Sequence, residues 1–274
     1  MHDTIAIIFD FDDTLAPDST SGYLKHMGVK DIKKFWKTDV EALIADGWDP
    51  VPAYLYQMIK TSQEGLSFSK ESLVAWGKQL PLHDHVNKIF SRLRQIAKEI
   101  NPSITIEYYL ISSGIGDIIR NTAISKEFKD IWASEFHYDA KGNISMPKRI
   151  VSFTDKTRYI FHIQKGIVGQ AYQNKPFEVN KKLTPEQIRI PIKNMIFVGD
   201  GYTDIPCFSL VKNSGGVAVA VYDNHHIEKW GNTYQFSQDS RVHNINAANY
   251  SENSELSNYL GMAVKKMSED ISHK

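Results

Sequence analysis

The chain has 274 residues, 42% hydrophobic and 23% charged, a composition that excludes disordered and fibrous classes and leaves room for one large α/β domain plus an insert. Lysine and arginine balance aspartate and glutamate at 32 each, so no global field favours nucleic acid or an anionic membrane; neither is an expected partner, and any anion site must be local. The single cysteine, Cys207, excludes an internal disulfide and a cysteine-based metal site, and the short first apolar run is no signal-peptide core, so the expected compartment is the cytoplasm.

In chain order, the apolar run Ile5–Phe9 predicts a buried strand that runs straight into Asp10, Asp12 and Asp13, followed by Thr14. From about Asp18 to His83 the pattern is helical without a convincing strand. Val29, Ile32, Phe35, Trp36, Val40, Leu43 and Ile44 form one amphipathic stripe, and Tyr54–Ile59 and Leu73–Leu80 predict further helices, with Pro50, Pro52 and Gly65 as separators. A crossover needs only one helix, so residues 18–83 read as a small helical cap inserted into a core of residues 1–17 and 84–274. His83 and His85 flank the return to the core and suit surface or hinge roles.

Val86–Ile100 then predicts a helix and Ile104–Ile111 a second strand, ending in Ser112, Ser113 and Gly114. Tyr138–Ile144 reads as a hairpin turning at Lys141-Gly142, and Thr157–Lys165 as a helix with Lys156 at its start. A third strand, Met195–Val198, leads into Gly199 and Asp200, with Asp204 at the start of the next helix. Val217–Val221 is a fourth, followed by His225 and His226, for which surface roles are expected. Strands alternating with helices predict a doubly wound parallel α/β sheet.

Parallel strands present ligands at their carboxyl ends. Alternation along an extended segment puts Asp10 and Asp12 on one side, and two such carboxylates repel unless a cation or shared proton intervenes. If the first and third strands are neighbours, Asp10, Asp12, Asp200 and Asp204 converge in an oxygen-only pocket that favours magnesium. Taken alone, Ser112 reads equally as a helix cap and Lys156 as a solvated surface residue. Beside the acids, Ser112 with the N–H groups of Ser113 and Gly114 suits a phosphate oxygen, and Lys156 supplies a point charge. Asp13 is expected to face solvent or to cap a helix.

DFDDT at Asp10–Thr14, Ser112, Lys156 and GDGYTD at Gly199–Asp204 together resemble the four ordered motifs of the haloacid dehalogenase superfamily, over about two thirds of the chain. The resemblance implies a Rossmann-like core under a helical cap of that family's first type, and phosphatase chemistry through an aspartyl-phosphate. Asp10 would attack phosphorus. Asp12 would protonate the leaving oxygen and then activate water, while Ser112 and Lys156 would bind the phosphoryl group and Thr14 would tighten the loop. Magnesium would be held by Asp10, the carbonyl of Asp12 and Asp200, with Asp204 behind it or bound through water. Trp132–Tyr159 is similar to part of the phosphoserine phosphatases, yet Ser19 stands where their substrate-binding acid is expected, with Asp18 beside it.

The expected function is hydrolysis of a small phosphorylated metabolite. A phosphomutase of the same fold and a non-catalytic receiver-like domain remain alternatives. Asp12 argues against dehalogenation, because a halide leaves without needing a proton. Neither the ester nor the oligomeric state is readable from the sequence.

Overall fold

A computed structural model describes residues 3–223 and 239–273 of the chain; His225 and His226 lie outside the described residues. Seven strands form one sheet in the order β4-β3-β2-β1-β5-β6-β7. They are β1 (Thr4–Phe9), β2 (Thr105–Ile115), β3 (Phe128–Tyr138), β4 (Ile144–Arg149), β5 (Met195–Gly199), β6 (Val217–Tyr222) and β7 (Asn244–Ala247). All pair in parallel except β4, which returns antiparallel beside β3.

Side chains alternate across the pleat, so each central strand is buried twice. Ile5, Ile7 and Phe9 pack on one face with Leu110 and Val198, while Ala6 and Ile8 pack on the other with Ile111 and Phe197. The first face is covered by the helix Val86–Ile100 and by the helix Glu255–Ser272, the second by Phe153–Lys165 and Ile205–Asn213. Phe90 centres the first layer, meeting Phe9, Tyr108 and Phe128 edge to face at 6.1, 4.9 and 5.5 Å between ring centroids. Truncating it to alanine is a loss of about 3–5 kcal/mol.

Between β1 and β2 lie helices α1 (Ser19–His26), α2 (Pro50–Thr61) and α3 (Lys70–Gln79), with a run of helical turns from Ile32 to Ala45 between α1 and α2. Pro50 and Pro52 do not separate helices, as the sequence suggested; they sit in the first turn of α2. There the missing N–H has no intrahelical partner to lose and the ring pre-sets φ. The stripe predicted from Val29 to Ile44 buries Phe35 and Val40 but leaves Ile44 38% exposed. Phe35–Val40 is π-helical, and its wider turns rotate the phase of the stripe before Ile44 is reached.

The insert is fastened at several points. His83 donates its backbone N–H to Leu15 O at 2.9 Å, joining the two connections to the core. The β3–β4 hairpin, turning through Gly142 at φ 81°, accepts Lys70 N on Gly142 O and donates Ile144 N to Phe68 O, each at 2.9 Å. Helix α3 crosses the short helix Gly116–Ile119 at Gly77, where an added Cβ would lie 2.3 Å from Ile118 O. Among the described residues no helix is long and apolar enough to cross a membrane.

Candidate functional site

β1 lies between β2 and β5, with Phe9 opposite Leu110 on one side and Val198 on the other. This brings the end of the first strand, Asp10, between the ends that carry Ser112 and Asp200. Asp10 N donates to Val198 O at 2.9 Å, extending the ladder one residue beyond the strand. The Asp10 side chain, only 5% of the residue being exposed, accepts Phe11 N on Oδ1 at 2.7 Å and faces Lys156 Nζ with Oδ2 at 2.9 Å.

Lys156 reaches this point because its helix, α4 (Phe153–Lys165), starts where the chain leaves the sheet edge. Ser134 Oγ accepts Val151 N at 3.1 Å, and Ser152 with Asp155 forms a capping box. The lysine is fully buried and donates to Asp204 Oδ1 at 2.7 Å as well as meeting Asp10. Burial opposes its charge, but Asp10 and Asp204 outweigh that cost and hold the ammonium well above the usual lysine range. Asp204 directly precedes the helix Ile205–Asn213 without capping it through its side chain, which accepts Gly201 N on Oδ2 at 3.2 Å instead. Gly199 makes this possible: a Cβ there would fall 2.4 Å from Asp204 Oδ2.

Asp10, Asp200 and Asp204 each place a carboxylate oxygen within 4.8 Å of the others. Burial, then Asp10, Asp204 and Asp13, pushes Asp200 well above the ordinary carboxylate range. Burial likewise lifts Asp204 to about 7, with Lys156 opposing and Asp10 adding to the rise. One ammonium among three converging carboxylates leaves negative charge in excess. Hard oxygen donors at this spacing, without sulfur or imidazole, fit a small divalent cation such as magnesium.

Asp12 faces a different set of partners. Its Oδ1 accepts Ser19 N at 2.7 Å, and a Cβ on Gly114 would meet its Oδ2 at 2.5 Å and Ser112 Oγ at 3.2 Å. The second acid therefore lies against the β2 end. Burial, followed by the charge of Asp18, pushes Asp12 up to about 8, while Ser19 pulls it down. Ser112 is buried and its Oγ accepts Gly114 N at 3.0 Å.

The other nominated residues are placed with less effect. Thr14 tightens the loop through its backbone, donating N–H to Phe11 O at 3.2 Å and accepting Tyr250 O–H at 2.9 Å, but its hydroxyl is buried without a hydrogen-bond partner. Ser113 Oγ is equally unpartnered, while Ser113 O accepts the Tyr54 hydroxyl at 2.6 Å. Asp13 does not simply face solvent: in left-handed backbone at φ 53°, it adds its charge to the field raising Asp200.

Tyr54 and Ser19 were not legible as site residues. In sequence Tyr54 is one of several aromatic residues of the insert, with Trp36, Trp48, Tyr56 and Trp76, for which core packing is the safer reading than a pocket, until the fold lays it over the β2 end. Ser19 acts through a backbone N–H that any residue but proline would supply; the sequence drew attention to it only as standing where a substrate-binding acid was expected, beside Asp18, whose side chain caps α1 through Ser21 N at 2.9 Å.

The family model described as haloacid dehalogenase-like hydrolase matches residues 7–209. An uncharacterized protein of Borreliella burgdorferi is 28% identical over 283 residues, covering 93% of this chain and 95% of its own. Among solved structures, a probable phosphoserine phosphatase from Vibrio cholerae in unliganded form aligns with TM-score 0.57 and 11% identity, over 98% of this chain and 67% of that one. A phospho-aspartyl intermediate analogue of phosphoserine phosphatase aligns with TM-score 0.55 and 14% identity, over 94% and 98%. A HAD family hydrolase from Salmonella enterica subsp. enterica serovar Typhi gives TM-score 0.55 and 14% identity, over 83% of this chain and 65% of that structure. At these identities the likeness to solved structures is one of fold.

Proposed function

The chain belongs to the haloacid dehalogenase-like hydrolases, and from that membership we propose that it is a magnesium-dependent phosphatase that hydrolyses a small phosphate monoester through an aspartyl-phosphate on Asp10. The observation that carries the reading is the pairing of Asp10 with the fully buried Lys156 at 2.9 Å, beside a second acid, Asp12, turned towards Ser112.

The Asp10 carboxylate attacks phosphorus and the ester P–O bond breaks. Asp12 delivers a proton to the leaving oxygen, so that an alcohol departs rather than an alkoxide. Water then attacks the aspartyl-phosphate, Asp12 takes its proton, and inorganic phosphate is released with Asp10 restored. Lys156 offsets the repulsion between carboxylate and phosphoryl oxygens, and Ser112, whose Oγ accepts the Gly114 N–H and keeps its own proton to donate, steadies one of those oxygens. Asp10, the carbonyl of Asp12 and Asp200 would hold magnesium, with Asp204 beside them; when bound, the ion neutralises charge on the phosphoryl group. Residues 18–83 form the cap that covers the strand ends and limits the substrate to a small metabolite.

Asp10→Asn is expected to abolish hydrolysis of an aryl phosphate in magnesium while leaving thermal unfolding cooperative. Turnover at the wild-type rate by a folded Asp10→Asn protein refutes the reading.

A further inference from the structure

Away from the carboxylate cluster, a cavity of about 790 Å³ opens along the outer edge of β3, and none of Asp10, Asp12, Ser112, Lys156, Asp200 or Asp204 lines it. Such a volume accepts a drug-sized or nucleotide-sized molecule. Its position follows from a mismatch in strand length. β4 pairs with β3 only from Glu135 onward, so the first half of β3 has no strand on that side. The bare edge is stopped by side chains. Arg120 Nη2 donates to Ile131 O at 3.2 Å, Asp130 Oδ1 accepts Ile131 N at 2.9 Å, and Asp130 Oδ2 accepts Gly169 N at 2.7 Å. An added peptide strand would find the N–H and carbonyl of Ile131 already taken, which favours a small molecule as the occupant.

The cavity lining carries more cations than acids. Arg120, Lys129, Lys148, Arg149 and Arg158 line it against two acids, Asp130 and Glu135. Lys129 is partnered by Glu107 and Arg158, at 3.6 Å, by Asp155, both acids outside the cavity lining, which leaves three cations to two acids. Glu135 is shared, at 2.7 Å from Arg120 and 3.3 Å from Arg149, so one carboxylate serves two guanidinium groups. Lys148 is exposed and makes no ion pair among the described residues. The Arg158 guanidinium lies 4.8 Å from the centroid of the Tyr159 ring.

Beneath these cations is a rigid aromatic stack whose outermost ring, Tyr159, is 4% exposed and covered by the Arg158 guanidinium. Tyr159 stacks on Trp132 at 5.0 Å and 17°, and Trp132 stacks in turn on Tyr109 at 5.9 Å and 13°. The facing wall contributes Tyr172 and the amides of Gln173 and Asn174, suited to a planar body with hydrogen-bonding edges. Both acids are occupied, Asp130 by backbone N–H groups and Glu135 by arginines, so neither carboxylate stands ready to act on a ligand.

We propose that this cavity is a second, non-catalytic site that binds a nucleoside phosphate, its phosphate among Lys148, Arg149 and Arg158 and its base against the Tyr172 wall beside the Gln173 and Asn174 amides. The inference needs neither turnover nor metal, so it stands or falls separately from the phosphatase reading.

The test is calorimetric titration of the full-length protein with ADP in chelator at low salt, with adenosine and inorganic phosphate as separate arms. One ADP per chain should bind, with adenosine and phosphate each at least tenfold weaker. The double change Lys148→Glu with Arg158→Ala should weaken ADP at least tenfold, and Asn174→Trp, which fills the mouth without removing charge, should do the same. Both variants should hydrolyse an aryl phosphate as the wild type does when ADP is absent. The proposal is overturned if ADP does not saturate, if neither variant weakens it, or if phosphate alone binds as tightly as ADP.

Discussion

Gly114 decides how closely Asp12 and Ser112 approach each other. A methyl at that position would sit 2.5 Å from Asp12 Oδ2, well inside van der Waals contact, and 3.2 Å from Ser112 Oγ. The carboxylate would have to turn away from the space where a leaving oxygen must be met. Gly114→Ala is therefore expected to lower kcat by about tenfold or more, equivalent to about 1.4 kcal/mol in the barrier, with little loss of stability. Steady-state kinetics beside a denaturant melt checks this, and an unchanged kcat would show that Asp12 need not occupy its observed position. At this scale the acids were legible because a charge at the end of an apolar strand is conspicuous, and Ser112 and Lys156 only through their order and position relative to those acids. Tyr54 was not, because its role depends on a contact 59 positions away, the hydroxyl on Ser113 O.

Among the elements, four strands announced themselves as mostly apolar runs, β4 was legible only through the hairpin turning at Lys141-Gly142, and β3 and β7 did not announce themselves as runs. β3 carries Lys129, Asp130 and Glu135, the charged pattern of an edge that is half bare, and β7 is four residues with two asparagines, Asn244–Ala247. Neither strand offers the run of buried side chains that a strand flanked on both sides requires. The helix Glu255–Ser272 was also unassigned from sequence, although Leu256, Leu260, Val264 and Met267 mark its buried face. The insert raises a question of fastening. At Gly77 an added Cβ would meet a backbone carbonyl at 2.3 Å, which cannot yield as a flexible side chain would. Gly77→Ala is expected to push α3 off the helix Gly116–Ile119 and to cost about 1–3 kcal/mol of stability. The KM for a metabolite should rise more than the KM for a small aryl phosphate. Denaturant unfolding and the two KM values measure this; equal shifts in both would deny the insert a part in selection.

For the whole molecule, the sheet is tied to its N-terminal-side loops by Glu107. Arg189 Nη1 donates to its Oε2 at 2.6 Å, the Tyr109 hydroxyl donates to the same oxygen at 2.6 Å, and Lys129 and Arg189 Nη2 reach Oε1. Burial alone would raise this carboxyl, but the hydrogen bonds from Arg189, Lys129 and Tyr109 outweigh it and bring it down to about 2. A pKa depressed on folding gives stability that is complete above the unfolded value, near 4.3, and lost as pH falls towards about 2. With the Arg189 and Lys129 side chains 33% and 41% exposed, solvent screens the cluster and the contribution is about 1–2 kcal/mol. Glu107→Gln should therefore lower stability at neutral pH and flatten the loss between pH ~4.3 and ~2 relative to wild type. Parallel stability curves for the two proteins through that window would contradict it.

The central claim is that Asp10 becomes covalently phosphorylated. Its most direct test is rapid acid quench of the wild-type protein turning over an aryl phosphate in magnesium, followed by mass spectrometry of the peptide that contains Asp10. The account predicts one phosphoryl group on that peptide, dependent on magnesium and absent from Asp10→Asn. Phosphate release in the steady state with the Asp10 peptide unmodified at every quench time would contradict it.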